Sequence, residues 1–219
     1  YAVPAGFGGG LAVLTFNHAI RMGHFGFSNA IYRSSFLVPV VVGILFFGAV
    51  LKLTTSAGIL LILGAIFLMS WSNDAFSKGK GSEWKWFVII MAAFLLSGLP
   101  RVGQLLTSTY KQSFFAYLFL SYAAGAFLLL PFYLKQKKFD TRALLYGSIA
   151  SIASYIGVYC TLSALKTLSP AVVYPITLSA PIILGMGISS LFFKEKIRGS
   201  GWLGVFAGIT GITILALWK

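Results

Sequence analysis

Apolar residues in this chain come in long unbroken blocks, not in alternation. Eight blocks stand out, at about residues 2–22, 26–50, 55–72, 85–107, 113–134, 142–166, 170–193 and 201–218. About 20 apolar residues in a helix cover the hydrocarbon thickness of a bilayer. Only helices and closed barrels satisfy their backbone groups in lipid, and a barrel strand would alternate. The pattern therefore predicts an all-α, polytopic integral membrane protein with eight transmembrane helices. The longest polar stretch, Ser72–Lys85, is rich in Ser, Gly and charge, and separates three blocks from five.

The blocks are internally related. Pro39-Val-Val-Val-Gly43 matches Pro181-Ile-Ile-Leu-Gly185, and Leu45-Phe46-Phe47 matches Leu191-Phe192-Phe193. A cation closes the preceding apolar run in each copy, Arg21 in one and Lys166 in the other. A membrane repeat of this length is the sequence signature of a transporter built from two related halves. Equal halves require two further spans at the front, ten in all, so the chain reads as N-terminally truncated; it begins with Tyr. An odd number of spans per half places the halves in opposite orientations, with substrate bound near mid-membrane between them.

Composition agrees. The chain is 58% hydrophobic and 10% charged, against about 25% charged residues in a soluble domain. Trp71, Trp84, Trp86, Trp202 and Trp218 all fall at block ends, where an amphipathic ring prefers the headgroup layer. The net charge of +13 suggests nucleic acid only in a soluble protein. Here the cations flank spans in short loops, which removes that partner. The loop charges place the C-terminus outside.

The residues that carry chemistry in soluble enzymes are missing from the pattern. There is no Ser/His/Asp set, no phosphate-binding Gly-rich loop and no metal-ligand spacing. The reading is a non-enzyme with no catalytic residues, metal or cofactor. Cys160, the sole cysteine, reads as a structural thiol inside an apolar block.

Residues 164–217 resemble the EamA-like branch of the drug/metabolite transporter superfamily. The resemblance rests on Ala164-Leu165-Lys166, Ser169-Pro170-Ala171, Pro175, Pro181, Phe193-Lys194-Glu195-Lys196, Gly201-Trp202-Leu203-Gly204 and Gly208–Gly211. It implies a first EamA-like repeat reduced to its last three helices (1–72), a connector (73–85) and a complete second repeat of five helices (86–219). It also implies both termini in the cytoplasm, against the loop charges, so orientation stays open. The earlier copy lacks the acid that Glu195 supplies in the later one, so Glu195 reads as a helix-end residue.

Polar residues inside the spans are the candidates for transport. An intramembrane charge costs about 2.5–3.5 kcal/mol on insertion scales and should face a cavity or a partner. Asn29, Tyr32 and Arg33 share one helix face by their spacing, and a guanidinium there can hold a carboxylate or phosphate bidentately. The alternatives for Arg33 are an interhelical clamp and snorkelling. Ser97, Arg101, Gln104 and Ser108 form a second stripe beside Pro100. A third runs through Ser148, Ser151, Tyr155, Tyr159 and Ser163, with Tyr155 and Tyr159 as lining and the serines as interhelical glue. Tyr174 and Thr177 flank Pro175. Pro39, Pro175 and Pro181 are kink or gate positions, since an interior proline frees a carbonyl. Histidine is the side chain suited to proton exchange near neutral pH, so His18 is a candidate for proton coupling, or a satisfied interface histidine. Gly6-x-x-x-Gly10 and Gly204-x-x-x-Gly208 permit close helix contact.

The sequence reading is a secondary active transporter, an exporter of a small polar metabolite such as an amino acid or another anionic or zwitterionic compound. It works by alternating access in the plasma or inner membrane, as a monomer or homodimer. Its partners are a small-molecule substrate and membrane lipid. Multidrug efflux of cations and a non-transporting scaffold are the alternatives.

Overall fold

The computed structural model describes residues 1–22, 25–48, 52–73, 83–135, 141–192 and 199–217. Every regular element among them is helical: α1 Ala2–Met22, α2 Phe25–Arg33, α3 Leu37–Phe47, α4 Leu53–Asn73, α5 Glu83–Thr109, α6 Phe114–Leu134, α7 Thr141–Ala164, α8 Pro170–Phe192 and α9 Gly199–Leu217. Asp74, Asp140, Glu195, Trp218, the Phe193–Lys196 motif and residues 74–82 of the connector lie outside the described residues.

The eight blocks correspond to these helices, with one correction. The block at 26–50 is two helices joined by a 3-10 turn, Ser34–Phe36. Pro39, in the first turn of α3, has no N–H to offer the carbonyl of Ser35 four residues back, and the ladder tightens just before it. The two pieces still form a single apolar segment, Ser28–Phe47, long enough to cross a membrane. Trp84–Thr109, Phe114–Leu134, Leu144–Ala164 and Gly199–Leu217 also have that length and apolarity. The protein is an integral, polytopic membrane protein.

Water-driven burial does not hold helices together in lipid; close packing and interhelical hydrogen bonds do. The longest seam is α4 on α9. There a Cβ on Gly211 would lie 3.0 Å from the carbonyl oxygen of Gly58 and 2.9 Å from Ile62. A methyl on Gly6 would run into the backbone carbonyl of Ser121 where α1 meets α6. Phe36, Ile62, Leu105, Tyr174 and Leu215 are buried together where α4, α5, α8 and α9 meet the 3-10 turn. Ala5, Tyr117, Leu118 and Leu162 join α1, α6 and α7 in a second cluster. The α7 helix is the least covered, with no residue of its apolar span buried except Leu162 at its end.

Candidate functional site

Proline interrupts α5 at Pro100, and the helix is held there from two sides. Tyr117 of α6 donates its hydroxyl to the carbonyl of Pro100 at 2.6 Å. Tyr174 of α8 donates to the carbonyl of Arg101, also at 2.6 Å. The Arg101 guanidinium folds back and donates through Nη1 to the carbonyl of Ser97. This meeting of three helices borders an open cavity of about 690 Å³.

The cavity wall is assembled from five helices. Gly9 comes from α1, Tyr32 from α2, and Ser97, Arg101 and Gln104 from α5. Ser154, Gly157, Cys160 and Thr161 come from α7, and Tyr174, Thr177 and Pro181 from α8. Gln104 is buried to 9% exposure, yet its amide has no hydrogen bond among the described residues. The Thr177 hydroxyl is committed to the carbonyl of Val173 at 2.9 Å. Tyr32 packs tilted against Phe16 with ring centroids 4.4 Å apart. Among the described residues, the wall holds one cation, Arg101, and no carboxylate. No set of three or more metal-ligating side chains occurs among the described residues.

A family model for EamA-like transporters matches residues 84–217, from the start of α5 to the end of α9. The chain belongs to the EamA-like transporter family. No curated protein matches its sequence. One solved structure, titled only as the crystal structure of a protein, has the same fold at a TM-score of 0.75 and 14% identity. The superposition covers 98% of this chain and 77% of that one. This family consists of membrane transporters.

The structure brings Tyr32, Arg101, Gln104, Tyr174, Thr177 and Pro181 of this EamA-like chain to one wall. Others expected with them lie elsewhere. Arg33 is half-buried beside the wall, and its Nε donates to Oδ1 of Asn29 at 3.1 Å. That bond confirms the shared helix face and leaves both Nη groups without a hydrogen bond among the described residues. Tyr155 packs against Tyr122 and Tyr159 against Phe114 and Phe115; neither reaches this cavity. His18 is exposed near the end of α1 and outside the wall. Pro39 and Pro175 are buried, whereas Pro181 is exposed.

The sequence reading missed Cys160. It is exposed and faces the cavity, so it is not a buried structural thiol. The available signal was its place three residues after Gly157, on the face that meets α8.

Proposed function

We propose that this EamA-like chain carries a small anionic or zwitterionic metabolite, such as an amino acid, outward across the plasma or inner membrane. Transport is by alternating access between two repeats, and a gradient or exchange supplies the energy. The observation that carries this reading is the central wall. Arg101, with Arg33 beside it, is uncompensated by any carboxylate in the spans described. Buried guanidinium groups without acids are costly, and a substrate carboxylate offsets that cost when it binds.

The proposal extends to architecture: three helices of a first repeat, α1 to α4 with α2 and α3 as one span, and five of a second, α5 to α9. The self-related seam of α4 on α9 and the paired contacts of α2 with α4 and α8 with α9 support that division. Asn29, Tyr32, Arg33, Arg101, Gln104, Tyr174 and Thr177 are assigned to substrate binding, and the three prolines to hinge positions. The protein works as a monomer or homodimer.

Cells expressing the full-length protein, loaded with labelled amino acids, small carboxylates or cationic dyes, test this. Faster loss of an anionic or zwitterionic compound, abolished by Arg33→Ala at equal protein level, is the expected result. Faster loss of cationic dyes alone would replace the reading with multidrug efflux.

A further inference from the structure

The α5–α6 turn and the end of α7 enclose a second open cavity, of about 710 Å³. Ser108, Lys111, Gln112 and Ser113 line it on one side, Tyr159 and Lys166 on the other. Gln104, in the central wall, and Ser108 stand one turn apart on the same face of α5.

Three features of this cavity are unexplained by packing. Ser108 is 8% exposed, and its hydroxyl has no hydrogen-bond partner. Two ammonium groups, Lys111 and Lys166, share the wall with no opposing carboxylate among the described residues. The one described acid, Glu83, begins the 27-residue α5, about 40 Å of helix from the turn. Third, Lys111 occupies a left-handed backbone position, φ 51°. Its N–H donates to the carbonyl of Ser108 at 3.2 Å, and that of Gln112 to the carbonyl of Thr107 at 3.0 Å. This pair of bonds closes many helices, with glycine at the left-handed residue. A lysine held in that conformation is a backbone outlier of the sort found at ligand sites.

A cation near a helix C-terminus is favourable in itself, and that accounts for Lys111 alone. It does not account for the orphaned hydroxyl, or for the second lysine, in the turn that follows α7. Lys166 is kept in place by the face of Phe114, 4.5 Å from its Nζ, and Tyr159 meets that ring edge-on.

We propose that Ser108, Lys111 and Lys166 form an oxyanion site at the membrane face, a vestibule that holds a carboxylate or phosphate group one helical turn from the central cavity. Lysine binds such groups as a point charge, and the unbonded Ser108 hydroxyl, buried at the cavity's edge, supplies a directional donor once its side chain turns to the bound group. The vestibule's role as a staging post for the transported anion rests on the anionic-substrate reading above; the site itself does not.

The test is amine protection in the full-length protein in phospholipid nanodiscs. Lysines are acylated with a limiting amine-reactive ester and read one by one by mass spectrometry, with Lys135 as reference. In phosphatidylcholine discs, inorganic phosphate against chloride at equal ionic strength should slow acylation of Lys111 and Lys166 saturably, by about threefold or more. Lys135 should not change. Lys111→Gly, which suits the turn's backbone, and Ser108→Ala should each weaken the protection of Lys166. Protection that needs phosphatidylglycerol in the disc and no added phosphate would assign the same site to a lipid headgroup and remove the staging role. No protection of either lysine in any disc, or equal protection of Lys135, overturns the site. A failed transport screen would leave a positive protection result standing, so the two readings fail separately.

Discussion

Tyr174 donates its phenolic hydrogen to the backbone carbonyl of Arg101, 73 residues away, at 2.6 Å. The bond ties α8 to the proline-interrupted stretch of α5, and it fixes the residue that gives the central cavity its charge. Tyr117 makes the matching bond to Pro100 from α6. Two consecutive carbonyls of one interrupted helix are therefore read by two other helices. Tyr174→Phe and Tyr117→Phe should each lower stability by about 0.6–1.5 kcal/mol, the range of interhelical hydrogen bonds in membranes. Because the two carbonyls belong to adjacent peptide units of one helix turn, their double variant should depart from additivity. Thermal unfolding of the purified protein measures both effects. Additive losses would mean the two clamps act independently.

The α4–α9 seam makes a sharper stability claim. Gly211→Ala brings a methyl to 3.0 Å from the Gly58 carbonyl oxygen, and backbone cannot step aside as a side-chain end can. The expected cost is about 1–3 kcal/mol. Gly64→Ala in the same helix pair meets nothing within 4 Å. It should be neutral or stabilising by up to about 1 kcal/mol through helix propensity. The difference in melting temperature between the two variants checks this.

Lys111→Gly should raise stability. The left-handed conformation costs a side-chain-bearing residue about 1–2 kcal/mol that glycine avoids. Loss of the favourable ammonium at the helix end, about 0.3–1 kcal/mol, partly offsets the gain. A net increase in unfolding temperature is expected, and a decrease would show that Lys111 makes contacts beyond its backbone.

Cys160 is a natural reporter of the cavity's charge. Because it is exposed there beside Arg101, an anionic methanethiosulfonate should modify it faster than a cationic one of the same size. Arg101→Gln should narrow the difference, and Cys160→Ala should abolish labelling. Mass spectrometry of the intact protein reads the rates. Equal rates in the wild type would mean that Arg101 does not set the potential at this wall.

The spans were legible from apolar block length alone, because lipid demands continuous apolar helices. Arg101, Gln104, Tyr174 and Thr177 were legible for a related reason. They are polar positions at helical spacing in otherwise apolar segments, beside prolines that weaken the ladder. The face of α7 was not. Hydroxyls occur all around that helix, at Ser148, Ser151, Ser154, Thr161 and Ser163, so periodicity cannot choose among them. Most of them satisfy themselves on their own helix: Ser148 donates to the carbonyl of Leu144, Ser151 to that of Gly147 and Thr161 to that of Gly157. Such a bond costs nothing in lipid and gives no hint of orientation. Tyr155 and Tyr159, expected as lining, stand outside the central wall, which takes Ser154, Gly157 and Cys160 from this helix, while Tyr159 lines the second cavity. Cys160 escaped because a thiol is apolar enough to pass for core. The break at Ser34–Phe36 was half legible, since Pro39 announced a lost hydrogen bond but not that the ladder would tighten before it.

The most direct measurement of the central claim is exchange in liposomes reconstituted with the full-length protein, using labelled amino acids and small carboxylates against cationic dyes. Wild type, Arg33→Ala and Arg101→Gln would be compared at matched incorporation. The account predicts exchange of an anionic or zwitterionic solute that falls at least about tenfold in both variants, the equivalent of about 1.4 kcal/mol of lost binding or barrier lowering. Exchange of that solute at wild-type rates in both variants, or exchange of cationic dyes alone, would contradict it.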